Sequence, residues 1–445
     1  MPSNLLSIGL SGTRAARLAL DVAAQNIANA SSDGYVRRSV RLAEVSSSGG
    51  IGTIGDVSLS GVRLDRVVRN ADMFRQAEVR RTGADAARAN AELAGLENVE
   101  SALEQANLYP AIVQFEAALQ HLAGDPVDPA LRAAVIEDTR TLTRAFDVAS
   151  SSLDAAGEGL RFEAAAGVDQ VNLLAGELGR VNLRLTRAAD ATSDQSTLLD
   201  QRDNLLRQLS ELTDITTSFS SDNTVNVRLG GAGGPALVAG GATQTLAMQT
   251  GADGTIGFTL NGTGVALAAG SLAGRAQALE QVAESHAALD DLAAGMIATV
   301  NASQAQGTAL DGSAGQPLLA GTDAASITLA TSDGALIATA PAGADANSRD
   351  PANLDGLRAA LAAADPAGAM DSLLFTVSGA VAGRNVTRDA LESIAGSARM
   401  ALEAQSGVDL DQEAMNLVRF QQAFQASGKA MQVATEIFDS LLGIG

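Results

Sequence analysis

The stretch that most constrains this chain is its end, residues 406–445. Every seventh position there is large and apolar: Leu410, Leu417, Phe424, Met431 and Phe438. A companion register holds Phe420, Ala434 and Leu441, with Ser427 as its polar exception. This is a heptad repeat on one helical face, roughly 50 Å long at about 1.5 Å per residue. No proline interrupts it, and Gly428 is its weak interior position. Asp409 and Asp411 stand at its start, where carboxylates suit the helix dipole, and Gly443 and Gly445 lie past its end. Such a seam needs a partner. It is either an ordinary core helix or a terminal helix that buries its seam only in an assembly, and heptads alone do not choose.

The expected partner is the other terminus. Residues 5–30 carry Leu5, Leu6, Ile8, Leu10, Leu18, Leu20, Val22 and Ile27 among small residues, a wide apolar arc if helical. The ends also differ in charge. Up to Ala43 there are five arginines (14, 17, 37, 38, 41) against two aspartates (21, 33). From Gly407 onward five acids (409, 411, 413, 436, 439) face Arg419 and Lys429. Opposite charge sets register more than it adds stability. The two ends are therefore expected to pair, with Leu6, Leu10, Leu20 and Ile27 meeting the C-terminal seam. A lone amphipathic helix is marginal in water, so both ends are expected to be disordered in the monomer and to fold on assembly.

Composition narrows the function classes. The chain of 445 residues has room for two to four domains. Its net charge of −21 argues against nucleic acid or an anionic membrane as partner. It has no cysteine, which excludes disulfides, zinc–thiolate sites and thiol chemistry. No basic head with an apolar core marks a cleavable leader, and no apolar run is long enough to insert in a bilayer.

In chain order, Ser31, Ser32, Asp33 and Gly34 form a helix stop and turn. Residues 35–68 are extended in character, with a flexible hairpin tip at 46–55 and alternation at Val57, Leu59, Val62 and Leu64. From Met73 to Leu212 the pattern is helical. Ile112, Phe115, Leu119 and Leu122 repeat at three and four, and Val171, Leu174, Leu178, Val181 and Leu185 form the cleanest internal seam. Between them Gly124-Asp125-Pro126 breaks a helix, and Asp128-Pro129 caps the next. At Asp214 the period changes to two, so 213–271 reads as a small β-rich domain. Helix returns from Leu272, and residues 307–353 are rich in Gly, Ala and Asp. Leu373–Val377 is expected to be a strand, and a further helix runs from Thr387 to Gln405.

The expected fold class is mainly α with β insertions: an elongated helical bundle, paired terminal coiled-coil helices and a small β domain. Residues 1–35 with 407–445 make the terminal domain, 36–212 with 272–406 the bundle, and 213–271 the β-rich domain.

Chemistry is not indicated. His121 and His286 are the only histidines, far apart, and His286 lies on an apolar seam. A metal or triad site wants a cluster. No nucleophile elbow, P-loop or zincin motif occurs. Asp409, Asp411 and Glu413 lack a calcium loop's glycine and ligand count, and fit a helix N-terminus better. Neither an enzyme nor a cofactor is expected.

A resemblance enters with Asn26-Ile27-Ala28-Asn29 followed by Gly34-Tyr35. This resembles the N-terminal signature of the bacterial flagellar rod, hook and hook-associated axial proteins. Leu199-Asp200-Gln201-Arg202-Asp203 is similar to a central helix of the hook-associated protein 1 family. Gly124-Asp125-Pro126 with Asp128-Pro129 and Arg132 resembles a helix junction there. The segments Ser406–Asp411, Asn416-Leu417, Phe420-Gln421-Gln422 and Phe438–Leu442 resemble that family's end.

The resemblance implies a structural, self-assembling part of the flagellum: a ring of subunits at the hook–filament junction, outside the cell. It implies the hook protein and hook-associated protein 3 as neighbours. It also implies type III export with a dedicated chaperone and no cleavage of a leader. Two alternatives stay open. One is another axial protein, the hook protein or flagellin, against which the Asp-Gln-Arg-Asp segment argues. The other is a secreted coiled-coil adhesin or effector.

Overall fold

Long helices dominate because long stretches lack proline and repeat their apolar residues at three and four. The computed structural model describes residues 2–32, 34–46, 59–188 and 192–442. In order come α1 (Pro2–Ala28), β1 (Arg38–Ser46), β2 (Leu59–Arg69), α2 (Met73–Gln105), α3 (Leu108–Gly124), α4 (Pro129–Leu185) and α5 (Ser193–Leu212). Then follow β3 (Ile215–Phe219), β4 (Val225–Leu229), β5 (Ala236–Ala239), β6 (Ala242–Thr243), β7 (Leu246–Thr250), β8 (Ile256–Leu260), β9 (Thr263–Val265) and α6 (Ser271–Ala305). Short strand pairs lead to α7 (Ala352–Ala364), α8 (Pro366–Ser406) and α9 (Leu410–Leu442). The expected hairpin tip at 46–55 lies outside the described residues, apart from Ser46 at the end of β1.

The chain divides into two compact units, and α2, α4 and α8 contribute residues to both. The first comprises Met1–Ala84, Val171–Thr245 and Glu392–Gly445. Here α1 packs on α9, and the β1–β2 ribbon lies against α1. A four-stranded antiparallel sheet in the order β3-β4-β5-β6 packs Val225, Val227, Leu229, Leu237 and Val238 inward. The side chain of Asn182 on α4 locks into this sheet. It donates to Val225 O (2.8 Å) and Gly240 O (2.7 Å) and accepts from Val225 N (3.0 Å). The expected α4 seam of Val171, Leu174, Leu178, Val181 and Leu185 is buried throughout.

The second unit comprises Asp85–Gln170 and Leu246–Leu391. Its core gathers Ile112, Phe115, Leu119 and Leu122 of α3 with Leu279, Val282, Leu289, Met296 and Val300 of α6. Asp128 caps α4 as its sequence suggests, accepting from Ala130 N (2.7 Å) and Leu131 N (3.1 Å). Arg132, one turn on, is 1% exposed. Its guanidinium donates to Pro126 O, Gly334 O, Ile337 O and Thr339 Oγ1, all at 2.7–2.9 Å. Burial lowers its pKa. The irregular segment before α7 is held by polar side chains of α6: Asn301 binds the backbone of Leu318 and Leu319, and Gln304 accepts from Ala338 N.

Two sequence expectations differ from these coordinates. Leu373–Val377 is helical, inside α8. Met370 and Val377 are fully buried, with Leu373 and Leu374 packed on the same core. That spacing of three and four is helical, and a five-residue apolar window was too short to reveal it. The strands of 213–271 form two sheets, β3–β6 in the first unit and a three-stranded β7-β8-β9 in the second.

Candidate functional site: the paired ends and their ion-pair clasp

The pairing of α1 with α9 uses a narrow face. On α1 the buried positions are Gly9, Ala15, Ala16, Ala19, Val22, Ala23 and Asn26. Gly9 lies against Met431 of α9, and Ala434 of α9 is 1% exposed. A Cβ on Gly9 would lie 2.5 Å from Met431 Cγ, and one on Gly12 would lie 2.7 Å from Ser427 Oγ. Small residues thus set a close approach that leucines would prevent. The β2 strand crosses α1 just as closely: Gly61 takes φ +93 beside Ser11, whose Oγ accepts from Val62 N at 3.2 Å.

The large residues point elsewhere. Leu6 is 45% and Leu10 43% exposed, and Leu18 continues their stripe. On α9, Leu410, Phe424 and Phe438 are exposed, as are Met415, Val418, Val433 and Ile437. Leu20, Ile27, Leu417, Phe420 and Met431 are half-buried. The side chain of Leu441 lies outside the described residues.

Where the pair meets the rest of the first unit, the two sequence motifs come together. Asn26 behaves like a short stretch of strand. Its Nδ2 donates to Arg38 O (2.8 Å), and its Oδ1 accepts from Arg38 N (3.0 Å) and from the Tyr35 hydroxyl (2.9 Å). Asn29 donates to Gln25 O, while Ala28 is exposed. Gly34 takes φ +76, a backbone that suits glycine. Arg38 stacks over the Tyr35 ring at 5.2 Å. Burial is the main reason that the Tyr35 hydroxyl pKa is raised.

Arg38 and Arg69 are cross-strand neighbours on the ribbon. Like charges directly opposite are destabilising unless neutralised. Asp200 does this, accepting from Arg38 Nη2 (3.1 Å) and Arg69 Nε (2.6 Å). Asp203 accepts from Arg69 Nη1 (2.7 Å), Gln76 Nε2 (2.9 Å), and Arg202 Nε (2.9 Å) and Nη2 (2.7 Å). Arg202 also donates to Asn223 O (2.7 Å) and covers the Phe219 ring, tying α5 to the β3–β4 turn. Gln201 is exposed.

The two carboxylates shift in opposite directions. Burial raises Asp200 and outweighs Arg69 and Arg38. Burial also acts upward on Asp203, but Arg69 and Arg202 together hold it below the usual carboxylate range.

The C-terminal helix joins through Arg37, whose Nε donates to Glu413 Oε1 at 2.6 Å and whose backbone N–H donates to Ser406 O at 2.9 Å. The sequence puts Glu413 at a helix N-terminus, where the dipole suits a carboxylate. That position holds, but the carboxylate is buried on an arginine 376 residues away in sequence. Asp409 acts as expected, accepting from Gln412 N at 3.0 Å. Among the described residues no cluster of three potential metal ligands occurs, and no helix is long and apolar enough to cross a membrane.

With this geometry in view, comparison with known proteins is decisive. The family model for the flagellar hook-associated protein FlgK helical domain matches residues 93–319. The chain belongs to the FlgK family. A second model, the C-terminal region of the flagellar basal body rod FlgEFG proteins, matches residues 401–444, which include α9. Flagellar hook-associated protein 1 of Escherichia coli K12 is 28% identical over 250 residues, 55% of this chain and 45% of that protein. The Salmonella typhimurium protein of the same name is 27% identical over 250 residues, 55% of this chain and 44% of that protein. The Bacillus subtilis one is 26% identical over 232 residues, 48% of this chain and 46% of that protein. The chain therefore spans a little under half the length of the curated relatives it matches. The solved flagellar hook junction protein FlgK from Burkholderia pseudomallei superposes with a TM-score of 0.61. The match covers 74% of this chain and all of that one at 15% identity, which speaks for a shared fold. The family resemblance expected from the sequence is thereby met, and the matched models include the Asp200–Asp203 helix and the C-terminal segment.

Proposed function

We propose that this chain is a structural subunit of the bacterial flagellum that forms a ring at the hook–filament junction and permits filament assembly. One observation carries the reading. The terminal helices pair through glycine, alanine and serine and leave Leu6, Leu10, Leu18, Leu410, Phe424 and Phe438 in solvent. Large apolar side chains left exposed along both helices of one pair support an interaction surface. Its occupants here are the same helices of neighbouring copies. Leu20, Ile27, Leu417 and Phe420 complete the assembly face, and Met431 and Ala434 hold the pair beneath it. The clasp at Asn26, Tyr35, Arg38, Asp200 and Asp203 then fixes how the pair leaves its unit, so that successive subunits present the same face. The hook protein and hook-associated protein 3 adjoin the ring. The chain reaches it extracellularly through type III export with a dedicated chaperone, and its role requires no catalysis.

The test is a deletion strain examined by electron microscopy, with flagellin assayed in the medium. Hooks present, filaments absent and flagellin lost to the medium is the expected result. Missing hooks, or normal motile filaments, would overturn the assignment. Leu10→Asp and Phe424→Asp in the restored copy are expected to reproduce the deletion while leaving the fold of residues 85–170 intact.

A further inference from the structure

A cavity of about 340 Å³ lies within the first unit beside the clasp. Three arginines line it: Arg80 of α2, Arg207 of α5 and Arg399 of α8. Arg80 is only 7% exposed. Among the described residues it makes no hydrogen bond and no ion pair. The charge of Asp203 acts on it through space, against that of Arg202. Asp203 cannot take it on, because its two oxygens already accept four hydrogen bonds from Arg69, Gln76 and Arg202. A carboxylate offers about four lone-pair sites, so this one is saturated. Arg207 is engaged by Glu211 (2.9 Å) and Asn204 (2.8 Å). Arg399 is exposed and, like Arg80, has no partner among the described residues. The cavity's other acid, Glu403, makes no ion pair either.

An arginine this buried with no hydrogen-bond or ion-pair partner is costly, and its fork of donors matches an oxyanion. We propose that this cavity is an oxyanion site in which Arg80 and Arg399 clamp a carboxylate- or phosphate-type group. Arg80 supplies the buried donors and Arg399 closes from the rim, while Arg207, already paired, adds field. The volume exceeds that of one phosphate ion, so it also admits a small polycarboxylate.

Isothermal titration calorimetry on the full chain tests this, with inorganic phosphate and citrate as probes against chloride at equal ionic strength. Binding in roughly the millimolar range is expected for at least one probe. Arg80→Met is expected to weaken it tenfold or more. Arg399→Ala, an exposed change that leaves the fold alone, is expected to weaken it severalfold. Glu403→Gln is expected to tighten it by removing like charge. Phosphate alone binding identifies an inorganic-type oxyanion, and stronger citrate binding identifies a polycarboxylate. No heat with either probe overturns the proposal. So does a Glu403→Gln variant whose thermal midpoint falls as far as that of Arg80→Met, because Glu403 is then the internal counter-ion.

Discussion

Asp203→Asn is a sharp test of the clasp. The substitution keeps the shape and removes the charge. It also turns one of the two accepting oxygens into an NH₂ group facing Arg69 or Arg202. Breaking a buried ion pair by neutralising one partner costs about 3–5 kcal/mol. Arg69 keeps Asp200 and Arg202 keeps Asn223 O, so the lower end, about 3 kcal/mol, applies here. In urea, with a slope of about 2–3 kcal/mol per molar, that is a midpoint shift of roughly 1–1.5 M for the first unit. Hydrogen exchange at α5 and the ribbon reports that unit separately.

The pH dependence gives a second arm. Asp203 titrates below its ordinary value of 3.8 in the folded chain. Its contribution is therefore full above that value and is lost as pH falls through the depressed one, so the difference between wild type and Asp203→Asn shrinks in acid. Asp200 is raised above 3.8, so its ionisation opposes folding as pH rises through the raised value. The difference for Asp200→Asn therefore grows in acid. A loss under about 1 kcal/mol for Asp203→Asn, or parallel pH trends for the two variants, would refute the account.

Four further outcomes are expected. Asn182→Ala removes three hydrogen bonds from the end of the β4–β5 pair and should destabilise the first unit by about 3 kcal/mol, read as a lowered urea midpoint. Arg132→Met strands three buried carbonyls and should cost the second unit a similar amount, about 3 kcal/mol, with faster exchange in residues 334–339. Gly9→Leu places a side chain where Met431 already lies, so it should separate α1 from α9 and speed limited proteolysis of both ends. In the unassembled subunit even the wild-type ends should be cut before residues 85–170, because their shared face buries little large apolar surface, and uniform resistance would count against this.

What the sequence disclosed depended on range and on size. Seams such as Val171–Leu185 and Ile112–Leu122 were legible because large residues at helical spacing are buried locally. The pairing of the ends was legible in outline and mistaken in detail. Periodicity weights leucine and phenylalanine, so it marked Leu6 and Leu10, whereas Gly9 and Gly12 meet α9 and the buried positions beside them include Ala16 and Ala19. Close approach is a property of what is absent from a side chain, and a hydrophobic repeat does not register it. The motifs were visible as two separate strings. That Arg38 meets Asp200, 162 residues on, is a tertiary fact without local trace. Asn182 gave no signal, since a lone asparagine in a helical seam reads as a polar interruption. Its value lies in the Val225 and Gly240 backbone groups it satisfies.

Size and charge divide the labour at this end of the chain. An apolar clamp between the terminal pair and its unit would tolerate sliding by a helical turn, because one leucine replaces another at little cost. The clasp does not tolerate it. Asp200 and Asp203 lie one turn apart on α5, and Arg38 and Arg69 are fixed opposite each other by strand register, so only one alignment pairs all four. Desolvated ion pairs of this kind add little net stability compared with apolar residues of equal volume, but every misaligned state leaves a buried charge bare. The small-residue face of α1 is equally intolerant, since a shift would bring Gly9 out from under Met431. The large residues left outside are the adaptable ones, and an assembly face shared among copies can use that adaptability only if the elements carrying it are held in one register.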